Sequence, residues 1–370
     1  MADVRVGIIG AGGIAGAHAR RYADISEAAV TAVADIVPGR AQAFIDRQGW
    51  HGARAFTDHR ELLASGLVDA VDICTYHRGH HRPAVDALEA RIPVLVEKPL
   101  SVDLVEAVEM VRASERSGAI LSVGFQTRYE PRLQAARRLV ADGVLGNVYY
   151  AEVGGGRRRG IPATPGKEPP TFISKEAAGG GAILDIGCYS IDTAMFLLGH
   201  PRPLSVLAMT ADHFGKGGRT TGNRMGKWDP ERFEVEDFGA AFVRLEGGAG
   251  LMFKIAWAMH LDTLGPTFFL GTEAGLRLDP EPTLYRDEHG FATQTTVAVP
   301  PAPKNFDAFR QKIQSFVIAV RDGGPAPIPG RQVLLEEAIL DGIYRSAAAG
   351  REATIELPED LLGGLERTAS

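Results

Sequence analysis

The chain has 370 residues, 45% of them hydrophobic and 23% charged, which is ordinary for a globular protein. Its 40 basic and 46 acidic residues give a net charge of −6, so no broad basic surface for nucleic acid or an anionic membrane is expected. No stretch approaches ~18 consecutive apolar residues, and the amino terminus lacks a basic flank and a cleavage site. We therefore expect a cytoplasmic protein that does not span a membrane.

A length of 370 residues exceeds what one hydrophobic core usually organises, so two domains are expected. The only cysteines, Cys74 and Cys188, lie 114 positions apart in apolar surroundings. This spacing and number exclude a disulfide framework, and we expect both residues to be buried free thiols in a reducing compartment.

Residues 1–124 alternate short apolar runs with helical patterns, which is typical of parallel strands joined by crossover helices. The predicted strands cover residues 4–9, 30–34, 53–56, 70–75, 94–97 and 120–124. The predicted helices cover residues 14–22, 38–48, 58–64, 83–90 and 104–117. The fold class of this first domain is therefore α/β, with a doubly wound parallel sheet.

Residues 125–370 are predicted to form an α+β domain with a large, mostly antiparallel open sheet. It begins with a helix over 131–142 and a strand over 148–153, followed by a hairpin of 237–246 with 249–259. Further strands are predicted near 266–271, 274–279, 283–287 and 292–298, with closing helices near 305–322 and 331–349. An alternative is that the last helices pack on the first domain. One sheet face needs a cover, so we expect a homodimer or homotetramer.

A glycine-rich loop directly follows the first predicted strand and opens a helix. Gly10 permits the tight turn, Gly12 lets the backbone approach a pyrophosphate, and Ala15 allows close helix packing. Free N–H groups around Gly13 and Ile14, at the start of the helix, favour an anion there. The loop therefore predicts a Rossmann-type dinucleotide site, with a purely structural turn as the alternative.

The second predicted strand ends at Asp35, 25 residues after Gly10. A carboxylate at this position accepts hydrogen bonds from an adenosine ribose and repels a 2′-phosphate, so NAD is favoured over NADP. Arg40 keeps NADP open as an alternative, because its guanidinium could reach a phosphate, although it also fits a solvated helix residue.

Glu97-Lys98-Pro99 ends the fifth predicted strand, at the sheet edge where parallel sheets bind ligands. Pro99 ends the strand and is a candidate for a cis peptide bond. At this point the sequence resembles the Gfo/Idh/MocA family of nicotinamide-dependent oxidoreductases. The resemblance rests on Gly10 to Gly16 with His18, Asp35, Thr75 to His80, Glu97-Lys98-Pro99, Gly124-Phe125-Gln126 with Arg128-Tyr129, and Gly179 to Asp192.

The resemblance implies a dinucleotide-binding domain over residues 1–124 and a substrate-binding and oligomerisation domain over 125–370. It also implies that NAD, or alternatively NADP, contacts further residues beyond the glycine loop. These are Thr75, Tyr76, His77, His80, Glu97, Lys98 and Gln126. Two departures stand out: Tyr76-His77 replaces a proline and asparagine, and Tyr189 stands where many members have histidine. Some branches of the family also have tyrosine there.

Residues 185–198 predict a helix that ends at Gly199. Asp185, Tyr189 and Asp192 recur at helical spacing, so their side chains share one face of an otherwise apolar helix. A polyhydroxylated substrate would satisfy these polar groups, whereas the alternative is a buried tyrosine between two structural aspartates.

Oxidising a secondary alcohol requires removal of its hydroxyl proton as hydride leaves carbon. We predict Lys98 and Tyr189 to be a coupled acid–base pair, because a charged lysine would lower the pKa of a neighbouring tyrosine. Asp185 would orient this pair or bind substrate, and Asp192 would bind substrate hydroxyls.

Three other residues are candidate substrate contacts, each with a structural alternative: Arg128, Tyr129 and Arg159. His77, His80 and His81 share their segment with no acidic or cysteine partner, so no metal is expected.

The leading interpretation is NAD-dependent oxidation or reduction of a secondary hydroxyl on a sugar, glycoside or cyclitol. A redox-neutral glycosidase or epimerase that uses NAD transiently is the second hypothesis. A non-catalytic dinucleotide sensor is the third, and it would need no acid–base pair.

Overall fold

A computed structural model describes residues 4–163, 171–219 and 221–362. The chain divides into two compact units. The first comprises the residues up to Gln126 together with Asp307–Leu334, and the second comprises Thr127–Phe306 and the residues from Leu335 onward. The amino-terminal part of the first unit thus ends two residues beyond the predicted boundary. The unit also contains a second segment, Asp307–Leu334, from late in the chain.

The first unit contains a parallel sheet of six strands, as the sequence predicts. Its strands are β1 (Val4–Ile9), β2 (Ala28–Ala34), β3 (Arg54–Phe56), β4 (Ala70–Ile73), β5 (Val94–Val96) and β6 (Leu121–Val123). They are ordered β3-β2-β1-β4-β5-β6. This doubly wound order opens a crevice at the carboxyl ends of β1 and β4, where such sheets bind nucleotides.

Five helices connect these strands: α1 (Gly13–Tyr22), α2 (Arg40–Gln48), α3 (His59–Ala64), α4 (His81–Glu89) and α5 (Leu104–Ser117). Asp58 and Asp103 cap α3 and α5 by accepting hydrogen bonds from backbone N–H groups of the first turn. Helix α2 begins later than predicted because Gly39 before it has a φ of +78°.

The second unit contains a nine-stranded sheet that is antiparallel except for one pair. Its strands are β7 (Val148–Gly156), β8 (Pro203–Ala211), β9 (Phe238–Leu245), β10 (Gly250–Ala256), β11 (Phe268–Gly271), β12 (Gly275–Arg277), β13 (Thr283–Glu288), β14 (Phe291–Thr296) and β15 (Ala353–Thr354). They are ordered β14-β13-β12-β11-β7-β10-β9-β8-β15, with β7 and β10 parallel. The mostly antiparallel sheet is confirmed, but sequence analysis did not identify β8 and β15.

The predicted hairpin is confirmed: β9 and β10 pair in antiparallel register, and Gly247 and Gly248 between them have φ values of +82° and +90°. These left-handed conformations favour glycine.

The α-helices that follow β6 in the described residues are α6 (Pro131–Ala141), α7 (Lys175–Ala178), α8 (Cys188–Leu198), α9 (His213–Lys216), α10 (Ala308–Asp322) and α11 (Gly330–Ala349). Helix α10 belongs to the first unit, where Ile313 and Phe316 join the same core as Val6 and Ile8. The predicted α-helix over 185–198 is wrong at its start, because Ile183–Gly187 forms a π-helical turn before α8.

The helical run Lys175–Leu198 has the length and mean hydropathy, 1.4, of a membrane span, although charged residues interrupt its apolar sequence. The fold buries 67% of this apolar window, which is the environment of a core helix. Cys74 and Cys188 are both buried and unbridged, as predicted.

Candidate functional site

The glycine loop has the geometry of an anion-binding turn at the start of α1. Gly10 has a φ of +95°, and a Cβ there would lie 2.7 Å from the carbonyl oxygen of Cys74. A Cβ on Gly12 or Gly13 would meet nothing within 4 Å. The loop therefore packs tightly at Gly10 and leaves open space at the amino end of α1, as a pyrophosphate requires.

Asp35 joins the end of β2 to this loop. Its two oxygens accept hydrogen bonds from the N–H groups of Ala11 and Val37, each at 2.9 Å, and the residue is buried. Arg40 donates a longer hydrogen bond of 3.4 Å to the same carboxylate. Oδ1 accepts from both Val37 and Arg40, whereas Oδ2 accepts, within the described part of the chain, only from Ala11 and so retains acceptor capacity for a ribose hydroxyl.

Two buried polar atoms beyond β4 have no hydrogen-bond partner among the described residues: Oγ1 of Thr75 and Nε2 of His80. Nδ1 of His80 donates to the carbonyl of Pro99 at 2.8 Å, which leaves Nε2 as an acceptor. Burial lowers the pKa of His80, so the ring is neutral. Buried polar atoms normally have partners, and a hydroxyl-rich ligand such as a dinucleotide would supply them. His77 is buried nearby, whereas Tyr76 is exposed.

Glu97 lies at the end of β5 inside a cluster of buried charges. Its Oε1 accepts from Nζ of Lys312 and lies 3.0 Å from Nε2 of His18. Burial alone would raise the pKa of Glu97, but these two cations outweigh it and hold the pKa well below its usual value. The next residue, Lys98, is half-buried, and the Lys98–Pro99 peptide bond is cis, as predicted.

The cluster continues beneath the sheet edge through His18. Nδ1 of His18 lies 2.7 Å from Asp72, which also accepts from the Tyr22 hydroxyl at 3.0 Å. Burial lowers the pKa of His18, but Asp72 and the hydrogen bonds outweigh that effect and raise it. Sequence analysis missed this cluster, although an aspartate inside the apolar run of β4 was a usable signal.

His18, Asp72 and Cys74 lie close enough to share a metal ion. Their polar atoms already hydrogen-bond to one another, and Nζ of Lys312 lies 3.1 Å from His18. The cluster therefore already contains its compensating cation.

In the second unit, Glu236 holds the start of the π-helical turn. Its carboxylate accepts from the N–H groups of Gly181 and Ile183 at 2.9 Å and from the Tyr344 hydroxyl at 2.9 Å. A Cβ on Gly181 would lie 1.9 Å from the carbonyl oxygen of Glu236, and one on Gly180 would lie 2.0 Å from the Tyr344 hydroxyl. The glycine run therefore allows a close approach that lets Glu236 cap the helix. Sequence analysis did not identify Glu236 or Tyr344.

Asp185 lies within the π-helical turn and Tyr189 on the first turn of α8. Asp185 is buried and accepts a hydrogen bond of 3.0 Å from the indole N–H of Trp257, while Tyr189 is half-buried. π-Helical turns inside helices occur frequently at functional sites, because the extra residue redirects the side chains.

Asp192, predicted to bind substrate, has no exposed surface and pairs with Arg128. Arg128 also contacts Glu336 at 2.9 Å. Burial and the neighbouring Asp192 raise the pKa of Glu336 well above its usual value. Two of the four residues predicted to bind substrate, Arg128 and Asp192, thus have partners within the protein.

The remaining predicted contacts lie at different places in the fold. Gln126 ends the first unit, and Tyr129 is half-buried in the short helical turn that follows. Arg159 donates to the carbonyls of Arg158 and Met259, each at 2.6 Å, and stacks 4.8 Å above the ring of Phe214.

Two family models match the chain. Residues 4–125 match the Gfo/Idh/MocA oxidoreductase family with its NAD-binding Rossmann fold, and residues 133–277 match the Gfo/Idh/MocA C-terminal domain. The chain belongs to the Gfo/Idh/MocA family. It is therefore an oxidoreductase with an NAD-binding domain, which confirms the enzyme class, the cofactor and the Rossmann fold predicted from the sequence.

The relatives agree with this assignment, and a solved structure agrees with the fold. The chain is 29% identical to D-glucoside 3-dehydrogenase of Escherichia coli, covering 94% of this chain and 96% of the relative. It is 28% identical to inositol 2-dehydrogenase 2 of Paenarthrobacter aurescens, covering 89% and 91%. Its fold is similar to that of an oxidoreductase domain protein from Kribbella flavida, with a TM-score of 0.81 at 23% identity, covering 96% of this chain and all of that one.

We expect Gly181→Ala to lower the free energy of unfolding by at least ~2 kcal/mol, because the added methyl group would overlap the carbonyl of Glu236. Urea denaturation followed by circular dichroism measures this change. Gly155→Ala is the matched control, since its Cβ would lie 3.9 Å from Ile255, an ordinary contact. Equal stability of the two variants would contradict the close packing at Gly181.

Proposed function

We propose that the protein is an NAD-dependent dehydrogenase that oxidises a secondary hydroxyl of a sugar, glycoside or cyclitol. The observation behind this proposal is Lys98 at the carboxyl edge of the Rossmann sheet, following the buried carboxylate of Glu97. The relatives named above include a D-glucoside dehydrogenase and an inositol dehydrogenase, whose substrates have ring hydroxyls. The free thiols fit a reducing cytoplasmic compartment.

In this proposal, Gly10, Gly12 and Gly13 hold the pyrophosphate of NAD, and Asp35 accepts from the adenosine ribose. Thr75 and His80 provide the unsatisfied polar atoms for further hydroxyl groups. When bound, NAD supplies a carbon that accepts hydride. Asp35 disfavours a 2′-phosphate by charge, which makes NADP the weaker cofactor.

Lys98 and Tyr189 are proposed to remove the hydroxyl proton as hydride leaves the substrate carbon. Unperturbed lysine and tyrosine have pKa values of ~10.4 and ~10, so neither is an efficient base at neutral pH alone. A cationic neighbour lowers the pKa of a tyrosine, and a coupled pair is therefore a better base than either group.

Asp185 is proposed to orient Tyr189 or to bind a substrate hydroxyl. The indole N–H of Trp257 donates to Oδ2 of this carboxylate at 3.0 Å. Tyr129 is a proposed substrate contact. We assign Arg128, Asp192 and Arg159 to holding the second unit together, since their polar groups bond to other parts of it.

The exposed face of the large sheet is proposed to bind a second copy of the chain. Leu207 and Met209 on β8 are 53% and 55% exposed. Leu207 pairs with Phe242 on β9, which pairs with Met252 on β10, so an apolar row crosses these three strands. Their neighbours on the opposite face, such as Val243, are fully buried. An apolar row of this kind is typical of a subunit interface.

A panel of sugars, glycosides and inositols with NAD and NADP, followed by absorbance of the reduced nicotinamide, tests this function. Net NADH formation with one class of substrate is expected. Conversion of a glycoside without net NADH would indicate the redox-neutral alternative instead.

Lys98→Met and Tyr189→Phe are each expected to reduce kcat at least ~100-fold, the usual loss when general acid–base help is removed. Lys304→Met and Tyr149→Phe, at exposed positions, are matched controls that should retain wild-type turnover. Steady-state kinetics on the best substrate of the panel measures both. Turnover within a few-fold of wild type would remove the tested residue from the mechanism.

Met209→Glu is expected to lower the molar mass of the particle in solution, because it places a charge in the apolar row. Light scattering after gel filtration measures the mass. Phe291→Glu is the control, since Phe291 is 72% exposed but lies on β14 at the other end of the sheet. An unchanged mass for Met209→Glu would exclude this face as the interface.

A further inference from the structure

Lys312 is a fully buried lysine that the proposed chemistry does not use. It lies on α10, and its residue is 1% exposed. Burying an ammonium group is unfavourable unless a partner compensates its charge. The partner here is Glu97, one residue before Lys98 in sequence and more than two hundred residues before Lys312.

The Glu97 carboxylate connects this ammonium to the backbone of Lys98. Oε1 accepts from Nζ of Lys312, whereas Oε2 accepts a long hydrogen bond of 3.4 Å from the N–H of Lys98. The two oxygens of one rigid carboxylate thus join α10 to the turn after β5. A change in the position of Lys312 would rotate the carboxylate and alter the contact with Lys98.

The carboxylate has little room to take another position. A Cβ on Gly124 would lie 2.8 Å from Oε1 of Glu97, so the backbone after β6 packs directly against it. On the other side, His18 contacts the same oxygen at 3.0 Å. Nζ of Lys312 is the third neighbour that contacts Oε1.

We propose that Lys312 is a positioning residue that fixes the turn carrying Lys98 by holding the Glu97 carboxylate in one orientation. The inference rests on the proposed function, because it assigns a purpose to the placement of Lys98. It gives a segment that follows the substrate-binding part of the chain a direct role in the nucleotide-binding unit.

Lys312→Met removes the cation and approximately keeps the shape of the side chain. We expect kcat to fall ~10- to ~100-fold, since small displacements of a reacting group cause losses of this size. NADH binding, measured by fluorescence, should also weaken, because the turn lies at the nucleotide edge of the sheet. Lys312→Arg retains the charge and should recover at least part of the kcat and part of the NADH affinity.

Phe316→Leu is the matched control for lost stability. Phe316 is fully buried on the same helix, so its truncation loosens the packing of α10 without removing a charge. At a temperature where both variants are fully folded, Phe316→Leu should turn over within about twofold of wild type, because the positioning contacts remain. Equal losses in both variants, or wild-type kcat and NADH binding in Lys312→Met, would overturn the proposal.

A second readout needs neither substrate nor cofactor. The titratable groups around Glu97 are His18 on α1, Asp72 and Cys74 from β4 and its end, His80, Lys312 on α10, and Lys98 in the turn. Lys312 is the largest of the influences that lower the pKa of Glu97, so without it burial is opposed chiefly by His18 and the pKa of Glu97 is expected to rise.

The variant should then gain stability relative to wild type as the pH falls, because Glu97 takes up a proton in the folded state. We expect the gap between the melting temperatures of wild type and Lys312→Met to narrow from pH 8 to pH 5.5. The double variant Glu97→Gln/Lys312→Met removes both charges and should melt above Lys312→Met at pH 8.

These outcomes separate the two proposals. The ion pair, and with it the role of Lys312, would be overturned by two results together. The difference in melting temperature between wild type and Lys312→Met would be the same at pH 8 and pH 5.5, and the double variant would melt no higher than Lys312→Met at pH 8. If no sugar is oxidised by the wild type while the gap narrows and NADH binding weakens, the proposed function fails and the positioning of the turn by Lys312 stands.

Discussion

Charges inside a protein are stable only when they are paired, and this constraint organises both units of the chain. In the first unit Lys312 and His18 surround Glu97, and in the second unit Arg128 joins Asp192 to Glu336. Removing one member of such a pair typically costs ~3–5 kcal/mol, because the other is left buried and uncompensated. Each cluster therefore binds a helix from the end of the chain to a segment that bears a proposed reactive group.

Glycine serves two opposite purposes in these segments. At Gly181 the absence of a side chain lets Glu236 reach the backbone N–H groups that begin the π-helical turn. At Gly12 and Gly13 it leaves open space above the amino end of α1. The first use builds a rigid support for Asp185 and Tyr189, and the second keeps room for a nucleotide. Both proposed halves of the chemistry thus depend on backbone that a Cβ would obstruct.

Much of the fold could be predicted because local patterns coincide with the tertiary structure. The six parallel strands are short and mostly apolar, and the β9–β10 hairpin has a glycine pair at its turn. Strand β8 was missed because its outward residues, Leu207 and Met209, are apolar. An exposed apolar residue removes the alternation that marks a half-buried strand. The π-helical turn was missed because its residues keep the apolar spacing of an ordinary helix.

The sequence by itself determined the class of fold, the glycine loop with Asp35, the Glu97-Lys98-Pro99 segment and the family, since these depend on residues that are neighbours along the chain. Only the tertiary structure decided which distant groups compensate the buried charges. In the sequence Lys312 resembles an ordinary solvated lysine, and only the packing of α10 in the first unit shows that it is buried. Glu236 likewise resembles a surface acid, and only the structure shows that it accepts from the N–H of Gly181. Electrostatic pairing acts over a few ångströms of space, and no local pattern in a sequence records which residues folding brings that close.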